Sequence, residues 1–138
     1  MQGRKILPRI FILDDDDDLL QSQSLFLESR GFTVKTASTM DVALEMIRAE
    51  TPDLILADLM MEHYDTGFVF CKKVRDLKGL ENVPILMQTG ASKKIGFTFK
   101  ASTPKEKEWM KVDEIMTKPV PPEHLLGKIE QYLSKSDQ

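Results

Sequence analysis

Residues 10–18 have the sequence IFILDDDDD, in which an apolar run of four residues ends directly at five consecutive aspartates. An uninterrupted apolar run is typical of a strand that is buried on both faces, as in a parallel sheet covered by helices. The same pattern recurs at residues 54–57 (LILA) and 85–87 (ILM). Thr33–Ala37 alternates like a strand nearer the edge, and Glu114–Thr117 is a weaker fifth candidate. The sequence therefore predicts five strands.

Helical periodicity fills the stretches between these strands. The predicted buried face of the first helix consists of Leu19, Leu20, Phe26 and Leu27. Gly31 is at the position of its carboxyl-terminal cap, and Ser38 with Asp41 resembles a capping box that starts a second helix. The predicted buried face of the second helix consists of Val42, Ala43, Met46 and Ile47. Residues 68–77 predict a third helix, and Pro122 suits the first turn of a last one. This alternation predicts an α/β fold, with an open parallel sheet between two helical layers.

The composition is that of a globular domain of moderate size. With 138 residues, of which 41% are hydrophobic, we expect a single domain over residues 1–138 with a core at about residues 8–133. The net charge of −3 excludes disordered and strongly basic classes and gives no reason to expect a nucleic-acid partner. No apolar run approaches the roughly 20 residues that cross a bilayer, and no signal peptide is recognisable. The single cysteine, Cys71, suits a reducing compartment. We therefore expect a cytoplasmic protein without a membrane partner.

Side chains that can carry chemistry follow four of the predicted strands. The first strand is followed by the aspartates that begin at Asp14, the third by Asp58, the fourth by Thr89 and the fifth by Lys118. In open parallel sheets, ligands bind outside the carboxyl ends of the strands, so these residues are the candidate site. The aspartate run alone would also suit a solvated loop whose later members cap a helix, but that interpretation does not account for the whole set.

Carboxylates from two strand ends repel each other unless a cation lies between them. A set of oxygen ligands suits a hard divalent ion such as Mg²⁺ or Mn²⁺. An aspartate next to a metal ion, an ammonium group and a hydroxyl group is equipped to accept a phosphoryl group, because these neighbours neutralise the transferring oxygens. The sequence therefore predicts a phosphoryl-transfer site at the carboxyl edge of the sheet.

With these four segments in this order, the chain resembles the receiver domain of two-component response regulators. The matching segments are RIFILDDDDDLL, TPDLILADLMM, VPILMQTGAS and DEIMTKPV. The resemblance implies a flavodoxin-like three-layer fold with five parallel strands in the order 2-1-3-4-5. It also implies that Asp58 is phosphorylated by a histidine kinase or a histidine phosphotransfer protein of a phosphorelay. Thr89 matches the switch residue of the family, and Lys118 matches the lysine that contacts the phosphoryl group.

The same resemblance implies the metal ligands. Asp14 and Asp15 match the acidic pair of the family, with Asp15 as the direct ligand, and the phosphoacceptor Asp58 also contributes. The backbone carbonyl of Met60 would complete the Mg²⁺ (or Mn²⁺) site.

The chain departs from the family pattern between the fourth and fifth strands. The stretch from residue 90 to residue 117 is longer than in most receivers, and its part at 92–111 contains six lysines and two glutamates, a local charge of +4. Ile115 stands where many receivers carry an aromatic switch partner. We expect residues 92–111 to form the surface for an acidic protein partner. The alternative is that they cover the edge of the sheet.

These features predict a stand-alone signalling module that acts through protein–protein contacts, as a monomer or weak dimer. Residues 1–8 and 134–138 are too short to hold an effector domain. We expect no enzymatic activity beyond self-catalysed phosphorylation and dephosphorylation of the aspartate. Two alternatives are a Mg²⁺-dependent phosphohydrolase with an aspartate nucleophile and a degenerate receiver that acts without phosphorylation.

Overall fold

The computed structural model describes residues 7–58, 66–90 and 112–136, and these residues form five strands and four helices. The strands are β1 (Arg9–Leu13), β2 (Thr33–Ala37), β3 (Leu54–Asp58), β4 (Ile85–Thr89) and β5 (Glu114–Thr117). The helices are α1 (Asp17–Ser29), α2 (Met40–Ala49), α3 (Thr66–Arg75) and α4 (Pro122–Ser136). Among the helices in these ranges, none has the length and apolar character to cross a membrane.

All five strands belong to one parallel sheet with the order β2-β1-β3-β4-β5. Leu13 at the end of β1 is opposite Ala37 and Ala57, and Asp58 at the end of β3 is opposite Gln88. The predicted α/β class and the 2-1-3-4-5 order of a flavodoxin-like sheet are therefore confirmed. Because the strands are parallel, their carboxyl ends lie along one edge of the sheet.

Successive residues of a strand point to opposite faces of the sheet, and each face is covered by two of the helices in the described ranges. On one face, α2 and α3 pack against odd-numbered residues of β1, β3 and β4; on the other, α1 and α4 pack against even-numbered ones. These three strands are buried almost throughout, as their apolar runs predict. Cys71 is fully buried between α3 and the sheet.

The start of α2 differs from the prediction. The proposed capping box from Ser38 to Asp41 is wrong, because Thr39 is the cap and its side-chain oxygen accepts from the backbone N–H of Val42 (3.4 Å). Val42, which was predicted to be buried, is 46% exposed, and Leu44 is buried in the core instead. The buried face of α2 is centred on Ala43 and Ile47, one turn apart, and a residue directly before Ala43 is rotated about 100° away from it.

Two predictions lie outside the described residues. One is the metal-binding role of the backbone carbonyl of Met60, and the other is the partner surface at residues 92–111.

The end of α1 has the hydrogen-bond pattern of a Schellman motif. The backbone N–H of Gly31 donates to the carbonyl of Glu28 (3.1 Å), and that of Phe32 donates to the carbonyl of Leu27 (3.2 Å). Gly31 has φ 97°, a left-handed conformation that favours glycine, as its predicted capping role requires. Phe32 and Leu27 are both buried in the core under α1.

The first prediction compares the same substitution at two glycines. Gly31→Ala should destabilise the protein by about 1 kcal/mol because of its positive φ, although nothing lies within 4 Å of the added methyl group. Gly127→Ala is the matched control, since Gly127 is exposed inside α4 and its added methyl group also meets nothing within 4 Å. It should stabilise the protein by about 0.5–1 kcal/mol through helix propensity. Urea unfolding curves measure both values; equal signs for the two variants would contradict the cap assignment.

Candidate functional site

Asp14 is held in place by the end of β1. Its backbone N–H donates to the carbonyl of Ala37 (3.2 Å), which continues the pairing of β1 with β2 by one residue. Its buried carboxylate accepts through Oδ1 from the backbone N–H of Asp16 (2.9 Å). Asp16 in turn caps α1, because its Oδ1 accepts from the backbone N–H of Leu19 (3.2 Å). The turn that begins α1 therefore also orients the Asp14 carboxylate.

The aspartates of the run have two different functions in the fold. Asp17 and Asp18 are exposed in the first turn of α1, where negative charge is favourable next to the helix dipole. Asp14 and Asp15, in contrast, lie beside Asp58, the buried last residue of β3. One carboxylate oxygen from each of these three residues lies within 4.8 Å of the others, and we call Asp14, Asp15 and Asp58 the acidic cluster.

Lys118 extends from the residue after β5 into the acidic cluster. Its Nζ lies 2.8 Å from Oδ2 of Asp14 and 3.4 Å from Oδ2 of Asp58. Its backbone N–H donates to the carbonyl of Thr89 (2.7 Å), which fixes the end of β5 to the end of β4. The lysine side chain is 22% exposed, and those of Asp14 and Asp58 are only 1% and 6% exposed. One ammonium group therefore pairs with two buried carboxylates.

Two opposing effects act on the ammonium group of Lys118. Burial alone would lower its pKa, but the hydrogen bond to Asp14 and the charges of Asp58 and Asp14 outweigh burial, so the pKa lies above the ordinary value of 10.5. A pKa that folding raises means that protonation stabilises the folded state. This contribution is complete at pH values below the ordinary pKa of lysine and is lost as the pH rises through the raised value.

The residues of the acidic cluster fit a divalent cation. Three carboxylates and one ammonium group leave a net charge of −2 within a few ångströms. The donor atoms are oxygens, which hard cations such as Mg²⁺ prefer, and Asp15 is exposed, so the cluster is accessible from solvent.

Thr89 is the buried last residue of β4, next to the strand that carries Asp58. Its hydroxyl donates to the carbonyl of Gly90 (3.3 Å). The structure thus brings Asp14, Asp15 and Asp58 close together, pairs Lys118 with Asp14 and Asp58, and places Thr89 at the same edge of the sheet.

The sequence analysis missed one polar feature next to this edge. Gln88, in β4, exchanges side-chain hydrogen bonds with Gln23 of α1. The signal was a glutamine inside an otherwise apolar strand, but nothing in the local pattern identified its partner, 65 residues away in sequence.

Comparison with protein families gives one match that covers most of the chain. The sequence profile of the family described as "Response regulator receiver domain" matches residues 10–130.

Among curated proteins, the chain is similar to the alkaline phosphatase synthesis transcriptional regulatory protein PhoP of Bacillus subtilis. The identity is 31% over 136 residues, which cover 94% of this chain and 50% of the relative. It is also similar to the DNA-binding dual master transcriptional regulator RpaA of Synechocystis, with 31% identity over 96% of this chain and 52% of the relative. The chain spans about half the length of these two relatives.

Solved structures show the same arrangement of strands and helices. A CheY-like response regulator receiver domain protein from Methanospirillum hungatei superimposes with a TM-score of 0.81 and 28% identity, covering 96% of this chain and 98% of that one. The chemotaxis response regulator CheY4 of Vibrio cholerae superimposes with a TM-score of 0.79 and 27% identity, covering 92% of this chain and 99% of that one.

The second prediction tests the ion pairs of Lys118. Lys118→Met should destabilise the protein by about 3 kcal/mol in metal-free buffer, because it removes the positive charge that pairs with the buried carboxylates of Asp14 and Asp58. Lys128→Met is the matched control, since Lys128 is similarly exposed (25%) and its Nζ lies 3.3 Å from Glu114. Glu114 is more exposed than the two aspartates and keeps a hydrogen bond from Tyr132, so the control should lose about 1 kcal/mol or less. Chemical denaturation with a chelator present measures the free energy of unfolding of both variants. Similar losses would contradict the greater contribution expected of the buried Lys118 pairs.

Proposed function

The chain belongs to the response regulator receiver domain family, as its sequence predicted, and from this premise we propose that it accepts a phosphoryl group on Asp58. The observation that carries the proposal is the surroundings of this carboxylate. It is buried, it shares the acidic cluster with Asp14 and Asp15, and its Oδ2 lies 3.4 Å from the ammonium group of Lys118.

The proposed reaction is transfer from a phosphohistidine of a histidine kinase or a histidine phosphotransfer protein. A carboxylate oxygen of Asp58 attacks the phosphorus atom, a new P–O bond forms, and the P–N bond breaks. The electron pair of the broken bond stays on the imidazole nitrogen, which takes up a proton from solvent. The product is an acyl phosphate on Asp58. The aspartate is regenerated by hydrolysis, so no separate substrate is turned over.

Lys118 is placed to neutralise the transferred group. Its Nζ is closer to Asp14 than to Asp58. It can therefore keep its 2.8 Å contact with Asp14 while it pairs with an oxygen of the phosphoryl group on Asp58. A positive charge held at a fixed position in a partly buried site stabilises the charge that spreads over the phosphoryl oxygens. The Thr89 hydroxyl, at the same edge, supplies a neutral donor for another of these oxygens.

Asp14, Asp15 and Asp58 would hold a Mg²⁺ or Mn²⁺ ion, and the backbone carbonyl of Met60 is the fourth ligand expected from the resemblance. Such an ion, when bound, offsets the negative charge of the phosphoryl oxygens and of the carboxylates. Without it, the net charge of −2 would repel an anionic phosphoryl donor.

The proposed role in the cell is that of a two-component signalling module, with the phosphorylation state of Asp58 controlling contacts with a downstream protein. The names of the two curated relatives describe transcriptional regulators of about twice the length. This chain matches about half of each relative, so the proposal concerns signal reception and not the regulation of transcription.

The third prediction is that Asp58 is the only phosphoacceptor. In the presence of Mg²⁺ and a small phosphodonor such as acetyl phosphate, the wild-type protein should gain the mass of one phosphoryl group. Asp58→Asn should gain none, because an amide is not a nucleophile for this transfer, while its far-UV circular dichroism stays unchanged. Intact-protein mass spectrometry measures the gain. Asp18→Asn is the control, because Asp18 is an exposed member of the aspartate run outside the acidic cluster, and it should behave as wild type.

The same experiment, with a parallel assay on a small phosphate ester, separates the three functions that the sequence allows. A stable single mass gain supports the receiver, and continuous hydrolysis of the ester without a retained group would indicate a phosphohydrolase. No gain and no turnover would indicate a degenerate receiver, and a gain that survives in Asp58→Asn would place the acceptor elsewhere.

The fourth prediction concerns the metal. Asp15→Asn should weaken Mg²⁺ binding about tenfold or more, since it removes a charged ligand from the acidic cluster. In metal-free buffer the same variant should be slightly more stable than wild type, because one of three neighbouring negative charges is gone. Isothermal titration calorimetry measures the affinity, and thermal unfolding measures the stability. Asp18→Asn again serves as the control, and an Asp15→Asn variant with wild-type affinity would remove Asp15 from the ligand set.

A further inference from the structure

Five polar or charged side chains are buried among the described residues. Three of them, Asp14, Asp58 and Thr89, belong to the candidate site. The other two are Gln23 and Gln88, with exposed fractions of 8% and 1%. Neither has a role in the reaction proposed above, and both lie next to the apolar side chains that pack between the sheet and the helices α1 and α4. Two amides in such surroundings require an explanation.

The two glutamines form hydrogen bonds with each other. Nε2 of Gln23 donates to Oε1 of Gln88 (3.0 Å), and Nε2 of Gln88 donates to Oε1 of Gln23 (3.3 Å). We call these two side chains the amide pair. Both hydrogen bonds form together only when the two amides face each other, so the pair requires a defined position of α1 on β4. If both residues were leucines, α1 could shift on β4 at little cost, because apolar contacts have no direction.

Stability alone does not account for the amide pair. A buried pair of hydrogen-bonded polar groups contributes about as much as well-packed apolar side chains of the same volume, and often less. Such a pair also penalises a displacement of α1 relative to β4, because the displacement leaves buried donors and acceptors without partners.

The amide pair is connected to the acidic cluster by two routes. Gln88 is opposite Asp58 in the β3–β4 register, so the two side chains are neighbours on the same face of the sheet. Gln23 lies on α1, about two helical turns beyond the cap residue Asp16. The backbone N–H of Asp16 donates to Oδ1 of Asp14. A displacement of α1 along its axis would therefore move the donor that orients the Asp14 carboxylate.

We propose that Gln23 and Gln88 are positioning residues, whose amide pair fixes α1 against β4 and thereby sets the spacing of Asp14 and Asp58 for metal binding and phosphoryl transfer. The phosphoryl-transfer part rests on the proposed function, whereas the metal-binding part is independent of it.

The test compares four proteins, namely the wild type, Gln23→Leu, Gln88→Leu and the double Leu variant. Each single variant should be less stable than wild type, because the remaining glutamine loses its partner in the core. The double variant should regain the wild-type urea midpoint. Despite this, it should bind Mg²⁺ about tenfold more weakly, the lower end of the effect of residues that orient metal ligands. Gln21→Leu is the control, since Gln21 is an exposed residue of α1, and it should keep wild-type affinity.

Two further measurements follow in the double variant. The rate of phosphorylation by acetyl phosphate should fall with the Mg²⁺ affinity. The backbone amide hydrogen of Asp16, followed by nuclear magnetic resonance, should exchange faster, because its acceptor on Asp14 is less well placed. A pair that served packing alone would change neither the exchange of Asp16 nor the affinity for Mg²⁺ once stability is restored.

The outcomes are distinct. A stable double variant with wild-type Mg²⁺ affinity and unchanged Asp16 exchange overturns the proposal. A double Met variant, which keeps the unbranched shape of glutamine, is measured in parallel. If neither apolar double variant folds, the pair is required for folding itself and the positioning role is wrong. If the wild type accepts no phosphoryl group, the proposed function fails, and the Mg²⁺ titration still decides the role of the amide pair.

Discussion

The contacts of one ammonium group with two buried carboxylates are the interaction on which the site depends. Asp14 and Asp58 come from the ends of adjacent strands, and their removal from water is unfavourable unless a positive charge compensates them. Lys118 supplies that charge from the end of β5, two strands away from β3. Because one ammonium group must reach both carboxylates, Lys118 has to be held in a defined position. Its backbone N–H donates to the carbonyl of Thr89 (2.7 Å), which holds it there. Because one lysine does not balance three carboxylates, the edge keeps a negative excess that favours a divalent cation.

The sheet makes this arrangement possible by its direction and its register. Parallel strands bring all carboxyl ends to one edge, and the order β2-β1-β3-β4-β5 makes β1 and β3 neighbours in its middle. The even-numbered residues Ile12 and Leu56 face α1 and α4, and Asp14 and Asp58 continue the same alternation at the strand ends. The two aspartates thus project from the side of the sheet that these two helices cover. Both carboxylates are buried, while Asp15, one residue after Asp14, is exposed to solvent.

Most of the fold and much of the site geometry could be predicted from short-range patterns. Apolar runs identified β1, β3 and β4 because strands buried on both faces contain few polar residues, and the strand-end rule identified Asp14, Asp58, Thr89 and Lys118 as the residues of one edge. The prediction failed where a choice between neighbours depends on helix rotation or on one hydrogen bond, as for Ser38 against Thr39 and Val42 against Leu44. The pairing of Gln23 with Gln88 could not be predicted because it links residues 65 positions apart through side-chain geometry alone. The roles of Met60 and of residues 92–111 stay predictions.

The contacts at the end of β4 limit the movements that can occur there. Gln88 and Thr89 are successive residues, so their side chains leave the strand on opposite faces. Gln88 is held by α1, and the backbone carbonyl of Thr89 is held by Lys118. The strand end is therefore fixed both by a side chain and by the main chain. The Thr89 side chain, in contrast, contributes only its hydroxyl bond to Gly90 within the described residues. Rotation of this side chain breaks that one hydrogen bond, whereas translation of β4 breaks the amide pair and the strand pairing together. The Thr89 side chain is therefore freer to rotate than β4 is to move along the sheet.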